Sequence, residues 1–318
     1  MASSKKAIYA AILGNFAIAV TKFLGAAVSG SSAMLAEGIH SLVDTGNGGL
    51  LLLGIRRSKR PPDENHPYGY GKSLYFYTLV VAVLIFGLGG GISLYEGILH
   101  TLDPGHGGAS TASVLGVTVG GLTLNTIVLG AAIVFEGLAL RTALQEFKKQ
   151  RGDTPFFEAI VTSKDPTTFT VVFEDTAALA GLVVALVGIH LASLLHMPVI
   201  DGIASIIIGL ILCGVAAFLI WERKKLLIGE AAAPEIRDDI RRMAHDDADI
   251  ASVERLLTMH MGPRALLLNM DLRFRDDLDA NTVEAAVDRL ERAIREAHPS
   301  IRYIFVEAGS IARTRASG

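Results

Sequence analysis

The sequence predicts an all-α transmembrane domain of six helices followed by a small α+β cytoplasmic C-terminal domain. Hydrophobic residues make up 51% of the chain and charged residues 19%, and the mean hydropathy is +0.44. A soluble domain carries about 25% charged residues, so part of this chain is expected to lie where charge is costly. Charged residues are sparse over long stretches before position 222 and dense after it, which predicts a domain boundary there.

Apolar runs define the predicted helices. A hydrocarbon core needs about 20 apolar residues per helix. The candidate runs are 7–28, 33–55, 74–100, 113–140, 168–194 and 200–221. The second and fifth carry acidic residues, and we keep them as spans because their flanks are long and apolar. We therefore expect a transmembrane domain at 1–225, a cytoplasmic domain at 226–310 and a disordered tail at 311–318.

The distribution of basic residues predicts the orientation. Lys and Arg cluster near positions 5–6, 56–60, 148–151 and 223–225, whereas the alternate loops contain neither. Cytoplasmic loops carry the excess of Lys and Arg, so both termini are expected in the cytoplasm. Six spans and two cytoplasmic termini agree with each other. We expect an integral, multi-pass protein of a bacterial inner membrane.

Several classes of protein are excluded or disfavoured by composition. The net charge of -3 is small and indicates neither a nucleic-acid partner nor an acidic one. Cys213 is the single cysteine, so an intrachain disulfide and a cysteine-based zinc cluster are both excluded. The first apolar run follows Lys5 and Lys6 but lacks a clear cleavage site, so we expect it to be retained as a span.

The C-terminal region has the periodicity of a small α+β domain. A polar helix is predicted at 234–248, strands at 250–260 and 264–275, an amphipathic helix from Asn281, and a last strand at 301–306. The order α-β-β-α-β is typical of a two-layer domain.

Ionisable residues within the apolar runs indicate an ion site. A charged side chain inside a membrane usually faces a cavity or a partner. His40 and Asp44 are four residues apart and share one helix face, which supplies half of a tetrahedral site for a divalent cation. Glu174 and Asp175 in the fifth run supply carboxylates for the other half. Adjacent residues point about 100° apart on a helix, so only one of the two is centred on a given site.

The alternative to a metal site is that His40 and Asp44 have this spacing by chance. On a soluble helix a His-x-x-x-Asp pair is more often a surface arrangement than a ligand pair. Within an apolar span the desolvation cost favours the ion site. The absence of cysteine ligands favours zinc, iron, manganese or cobalt over Cu(I).

Other polar residues have two readings each. Lys22, Glu96 and Asp201 lie near predicted span ends, where they either snorkel to the interface or pair with another group. Glu136 is deeper and is a candidate for pairing. Asp63 and His66 form either a labile metal site or, as we favour, a solvated turn. For His245, Asp246, Asp247 and His260 we expect ordinary surface roles.

Three motifs resemble those of the cation diffusion facilitator family. They are GAAVSGSSAMLAEGIHSLVD at 25–44, NHPYGYGK at 65–72 and DGIAS at 201–205. The resemblance covers the membrane region and, by layout, the C-terminal domain. Within the family, the sequence is most similar to the branch that includes the mitochondrial-type zinc transporter nine.

The resemblance implies six helices, a homodimer, and exchange of a divalent cation for protons. It also implies a transport site made of His/Asp-x-x-x-Asp pairs in the second and fifth helices. His40 and Asp44 match the first pair, and Asp175 matches the second member of the other. The first member falls on Val171, which cannot bind metal, and Glu174 is the substitute.

The same resemblance bears on the C-terminal domain. The cytoplasmic domain of the family commonly binds zinc through histidines near its strand ends. The corresponding positions fall close to Glu254, Met270 and Val306, which match poorly. We expect this domain to dimerise without a well-formed zinc cluster.

These observations together predict a secondary transporter rather than an enzyme. The expected substrate is zinc or a similar divalent cation (iron, manganese or cobalt), exported in exchange for protons. The metal ligands would be His40, Asp44 and Asp175, with Glu174 as the fourth; the partners are membrane lipids and a second copy of the chain. The alternative is a metal-binding membrane sensor or scaffold with little transport activity. A membrane enzyme lacks support, since no nucleophile–base pair or cofactor loop is evident.

Overall fold

A computed structural model describes residues 2–103, 111–114, 117–151, 155, 166–263 and 265–308. The predicted disordered tail at 311–318 lies outside these residues. The chain forms two compact units. The first comprises the described residues within Met1–Ile55 and Phe76–Arg223, and the second those within Arg56–Tyr75 and Lys224–Gly318.

Helices account for most of the first unit. Their bounds are α1 Ala2–Ser29, α2 Ser32–Ser58, α3 Ser73–Leu84, a π-helix at Ile85–Gly91, α4 Ile92–Leu102, α5 Gly121–Arg151, α6 Pro166–Leu195 and α7 Val199–Ile228. The prediction of one span at 113–140 was wrong at its start. Strands β1 (Thr111–Val114) and β2 (Val117–Gly120) pair antiparallel there, in a segment whose β-branched residues favour strands.

Five helical segments among the described residues are long and apolar enough to cross a membrane. They are Ile12–Ser29, Ser73–Leu102, Gly121–Lys149, Thr170–Leu195 and Val199–Ile228. The sixth predicted span, α2, is a helix of 27 residues but does not reach the same apolarity. Its Glu37, His40 and Asp44, together with several glycines, lower its hydropathy. The residues that predict an ion site are therefore also those that weaken the prediction of a span.

Glycines allow α4 and the π-helix to approach α7 closely. A Cβ atom on Gly97 would lie 2.7 Å from the backbone N of Ile206, and one on Gly209 would lie 2.9 Å from the backbone N of Leu94. Gly90 abuts Cys213 in the same way. Small residues at helix crossings permit such backbone contact in membranes. Gly90, Gly97 and Gly209 thus serve helix packing.

The C-terminal part of the second unit is the predicted α+β domain. Its elements are α8 Pro234–Asp246, β3 Ile250–Gly262, β4 Ala265–Phe274, α9 Ala280–Ala297 and β5 Ile301–Ala308. The sheet order is β3-β4-β5, with β4 antiparallel to β3 and parallel to β5. Alternate residues of β4 are buried, and Leu268 and Leu272 join Ile240 of α8 and Leu290 of α9 in one hydrophobic core.

Candidate metal centre

The side chains of His40 and Asp44 face each other across one turn of α2. Nε2 of His40 lies 3.3 Å from Oδ2 of Asp44, and the two side chains are 2% and 15% exposed. The four-residue spacing on a helix produces this contact, as the sequence predicts. An imidazole and a carboxylate are thus held together in the interior of the first unit, with little access to water.

Several polar atoms of this region are buried and lack a hydrogen-bond partner among the described residues. They include both ring nitrogens of His40, Oδ1 of Asp44 and Oε1 of Glu174. Nε2 of His40 is close to Asp44 but not aligned for a hydrogen bond. Most buried polar atoms in proteins are paired, so a group of unpaired ones requires an explanation. Nitrogen and oxygen atoms with free lone pairs are the ligands that Zn²⁺ prefers.

Asn47 belongs to the same stripe of α2 and was missed in the sequence. It follows Asp44 by three residues, is buried, and leaves both polar atoms of its amide without a hydrogen-bond partner in the described part of the chain. The spacing of 40, 44 and 47 places the three side chains on one helix face. That periodicity is the signal that could have identified Asn47.

The fifth predicted span is α6, and it carries Glu174 and Asp175 as half-buried neighbours. Each is close enough to Asp44 for their negative charges to repel. Val171, one turn before Asp175, is also half-buried in α6 and offers no ligand atom. The structure therefore brings the acids of α6 towards the pair on α2.

The four predicted ligands are not gathered into one ready-made cluster. Among the residues that the structure describes, no group of three or more His, Cys, Asp or Glu side chains is arranged to hold a metal ion. His40 and Asp44 are brought together as a pair. A complete coordination shell from both helices would therefore require side chains to move.

Lys22 does not snorkel to an interface, which corrects one of the two sequence readings. Its Nζ lies 3.0 Å from Oε2 of Glu37 and donates a hydrogen bond of 2.8 Å to Oγ of Ser41. The side chains of Lys22 and Glu37 are fully buried. This contact is not evident from the sequence, because α1 and α2 supply one partner each.

Asp201 is likewise paired rather than extended to an interface. Its carboxylate accepts hydrogen bonds from Oγ of Ser31 at 2.7 Å and from the backbone N–H of Ser32 at 2.6 Å. Nε2 of His100 lies 3.8 Å away. Asp201 therefore caps the N-terminus of α2, the helix that carries His40.

Glu96 is half-exposed and lines a cavity of about 720 Å³ together with His100.

Glu136 is buried on α5, as its depth in the sequence predicts. Its charge acts on Asp44 and Asp175. A third helix therefore contributes a carboxylate to the neighbourhood of the candidate ligands. This increases the density of negative charge that a bound divalent cation would offset.

The segment around Asp63 forms a hydrogen-bonded turn. Asp63 accepts a hydrogen bond from the backbone N–H of His66 at 2.7 Å and from Oη of Tyr70 at 2.6 Å. The Tyr70 hydrogen bond holds the pKa of Asp63 below its usual value and raises the pKa of Tyr70 above its own. The side chains of Asp63 and His66 are about half exposed. This geometry fits the solvated turn that the sequence favours.

The histidines of the C-terminal domain differ from one another. His245 is exposed and lies near Asp246, and Asp247 accepts hydrogen bonds from Arg289. His260, in contrast, is buried in β3, so the expectation of a surface role was wrong for this residue.

Comparison with known proteins identifies the membrane region. The cation efflux transmembrane domain matches residues 8–228. The mouse protein named proton-coupled zinc antiporter SLC30A9, mitochondrial, is 28% identical over 95% of this chain and 58% of its own length. The Xenopus laevis protein of the same name is 30% identical over 90% of this chain and 56% of its own. Metal tolerance protein C4 of Arabidopsis thaliana is 32% identical over 92% of this chain and 61% of its own.

The coverage of these relatives is partial. The chain spans between 56% and 61% of the length of the three proteins. Two of them carry a mitochondrial name, which does not support the expected bacterial inner membrane. The long apolar helices do support an integral membrane protein.

Proposed function

Because this chain belongs to the cation efflux family, we propose that it exports zinc, or a similar divalent cation, across a membrane in exchange for protons. The family match covers residues 8–228 and so includes all candidate ligands. The mouse and frog relatives are named as proton-coupled zinc antiporters, which supports both the metal and the counter-ion. Helix α2 would form the sixth span, although it is less apolar than the other five.

The buried pair of His40 and Asp44 is the observation that carries the proposal. Burying an imidazole and a carboxylate in a membrane domain is costly unless they bind something. Their unpartnered nitrogen and oxygen atoms are the types of ligand that bind a divalent cation such as zinc. Asp175 and Glu174 would complete the ligand set from α6, since both interact electrostatically with Asp44.

Proton exchange follows from the chemistry of these ligands. A metal ion requires neutral imidazole and ionised carboxylates, so its binding releases protons from His40 and the acids. When the site opens to the other side, protons from that side compete with the metal for the same atoms. Each transport cycle would therefore couple metal release to proton uptake. The ligands themselves thus carry both the cation and the proton.

The rest of the architecture is proposed on the same basis. Residues 1–225 would form the transmembrane domain, with both termini in the cytoplasm, where the basic loops also lie. Residues 226–310 would form a cytoplasmic domain through which two copies associate.

Flux into proteoliposomes tests the function. Purified full-length protein is reconstituted, a pH gradient is imposed, and zinc uptake is followed with an internal fluorescent indicator. Wild-type protein should accumulate zinc only with the gradient, and Asp44→Ala should reduce uptake to the level of empty liposomes. Glu146→Ala, at an exposed position of α5, is the matched control and should transport normally. Full uptake by Asp44→Ala would overturn the site.

A metal-binding sensor or scaffold is the second candidate. Two observations favour a sensor or scaffold. Val171 occupies a position where a ligand is expected, and the candidate ligands do not form one cluster among the described residues. Zinc binding measured by calorimetry on the same preparation separates the two functions. A sensor binds zinc without flux, whereas a transporter shows both.

A further inference from the structure

The carboxylate of Glu37 contacts two neighbouring helices, α1 and α6, next to the candidate metal centre. Oε2 of Glu37 pairs with Lys22 of α1 at 3.0 Å. Oε1 of the same group lies against Gly181 of α6, where an added Cβ atom would overlap it. Glu37 itself belongs to α2. The group therefore lies between the helix that carries His40 and the helix that carries Asp175.

The position of this contact along both helices is significant. Glu37 precedes His40 by three residues, which is about one turn. Gly181 follows Asp175 by six residues, which is less than two turns. Lys22 also donates a hydrogen bond to Ser41, the residue after His40. The contact is therefore within two turns of the candidate ligands on each helix.

Stability alone is a poor explanation for this group. Removing two charges from water carries a large desolvation cost, and replacement of a buried ion pair by apolar residues is often neutral or stabilising. Oε1 of Glu37 also lacks a hydrogen-bond partner among the described residues. Buried ion pairs are best attested as devices that fix one geometry among several.

We propose that Lys22 and Glu37 are positioning residues that fix the separation of α2 and α6, and thereby the size of the cation that the centre accepts. This inference rests on the proposed function, because it requires a cation between those helices. Lys22 holds the Glu37 carboxylate in place and orients the turn that bears His40. The absence of a side chain at Gly181 lets α6 approach this carboxylate.

Cation size provides the readout. Zinc is bound by nitrogen and oxygen ligands at about 2.0–2.2 Å, whereas a larger ion such as cadmium needs longer bonds. A wider gap between α2 and α6 should therefore weaken zinc binding more than cadmium binding. Residues that orient metal ligands typically change metal affinity by about 10–100-fold when they are altered.

Gly181→Ala is the most direct variant. The added methyl group meets Oε1 of Glu37, so either this carboxylate or α6 must shift from its position in the wild-type protein. Zinc affinity should fall by about 10–100-fold, with a smaller loss for cadmium, so that the ratio of the two affinities shifts towards cadmium. Gly130→Ala on α5 is the matched control, since nothing lies within 4 Å of its added methyl group. It should leave the affinity ratio unchanged.

Variants of the ion pair test the same point independently. Glu37→Asp keeps the charge but withdraws the carboxylate by one methylene, and Lys22→Met removes the ammonium that holds it. Both should shift the ratio of the zinc and cadmium affinities towards cadmium. Lys22→Arg keeps the charge and the hydrogen-bond donors and should retain most of the wild-type ratio. Where Lys22→Met fails to fold, Glu37→Asp and Gly181→Ala carry the test.

The experiment is calorimetric titration of the purified full-length variants with zinc chloride or cadmium chloride. A shifted ratio in Gly181→Ala and Glu37→Asp, with an unshifted ratio in Gly130→Ala, supports the proposal. An unchanged ratio in the first two, while the wild-type protein binds and transports zinc, overturns it and leaves the proposed function intact. Failure of the wild-type protein to bind either ion overturns both.

Discussion

The carboxylate of Asp201 in α7 accepts a hydrogen bond from the backbone N–H of Ser32, the first residue of α2, at 2.6 Å. The first N–H groups of a helix have no partner within it, so a carboxylate there is favourable both as an acceptor and as a charge. Ser31 adds a second hydrogen bond to the same carboxylate. The helix that bears the candidate ligands is therefore anchored from a helix about 170 residues away.

Asp201→Ala should destabilise the protein. The variant leaves buried N–H and O–H donors at Ser31 and Ser32 without their charged acceptor, which should lower the free energy of unfolding by about 2 kcal/mol. Asp201→Asn keeps one acceptor oxygen and should lose less. Thermal unfolding in detergent micelles measures both. Glu146→Ala, which removes an exposed carboxylate, should change little; an equal loss there would contradict the capping role.

Gly97→Ala should destabilise the packing of α4 against α7. Its Cβ atom would lie 2.7 Å from the backbone N of Ile206, and backbone cannot yield as a flexible side chain can. Overpacking of this kind costs about 1–3 kcal/mol. Gly130→Ala is the control, because nothing lies within 4 Å of its Cβ position. That variant should be neutral or stabilising by up to about 1 kcal/mol, since alanine favours helices.

Tyr70→Phe should raise the pKa of Asp63 towards its ordinary value, because the variant lacks the O–H that donates to the carboxylate. In the wild-type protein the folded pKa lies below the unfolded one. The hydrogen bond is therefore fully effective above the unfolded pKa of about 3.9 and is lost as the pH falls through the folded pKa. Carboxyl NMR titration of labelled aspartate measures the shift.

Tyr68→Phe is the control for that titration. The hydroxyl of Tyr68 does not contact Asp63; it is the backbone oxygen of Tyr68 that accepts a hydrogen bond, from Tyr303. The titration of Asp63 should be the same as in the wild-type protein. If Tyr70→Phe also left the Asp63 titration unchanged, the turn would not be held by this hydrogen bond.

Val171→His should reveal which acid of α6 binds the cation. The new imidazole lies four residues before Asp175 and so shares its helix face. If Asp175 is the ligand, the added donor should tighten zinc binding by about tenfold or more, which corresponds to about 1.4 kcal/mol. Val171→Leu is the control. An unchanged affinity in Val171→His, with a loss in Glu174→Gln, would assign the role to Glu174 instead.

Much of the fold could be predicted from the sequence because it depends on local patterns. The run at 33–55 became α2 at Ser32–Ser58, and the α-β-β-α-β order of the C-terminal region was confirmed. The pairing of His40 with Asp44 was also predictable, since helix geometry alone brings residues four apart together. The error at 113–140 arose where an apolar segment had strand-forming residues and helix-breaking glycines side by side.

Contacts between distant residues were beyond prediction. Lys22 and Glu37 lie on different helices, and neither residue alone indicates the other. Asp201 was correctly singled out, but its partners at Ser31 and Ser32 depend on how α7 packs beside α2. The arrangement of Glu174 and Asp175 relative to Asp44 likewise depends on helix rotation, which one-dimensional spacing does not determine.

Anomalous diffraction at the zinc edge, from crystals of the full-length protein grown with zinc, tests the central claim most directly. The ligand set predicts a peak between α2 and α6 that lies within about 2.0–2.2 Å of His40 and Asp44 and of at least one of Asp175 and Glu174. Crystals of Asp44→Ala should lack that peak. A fully occupied peak elsewhere in the wild-type protein, with none between these two helices, would contradict the proposed site.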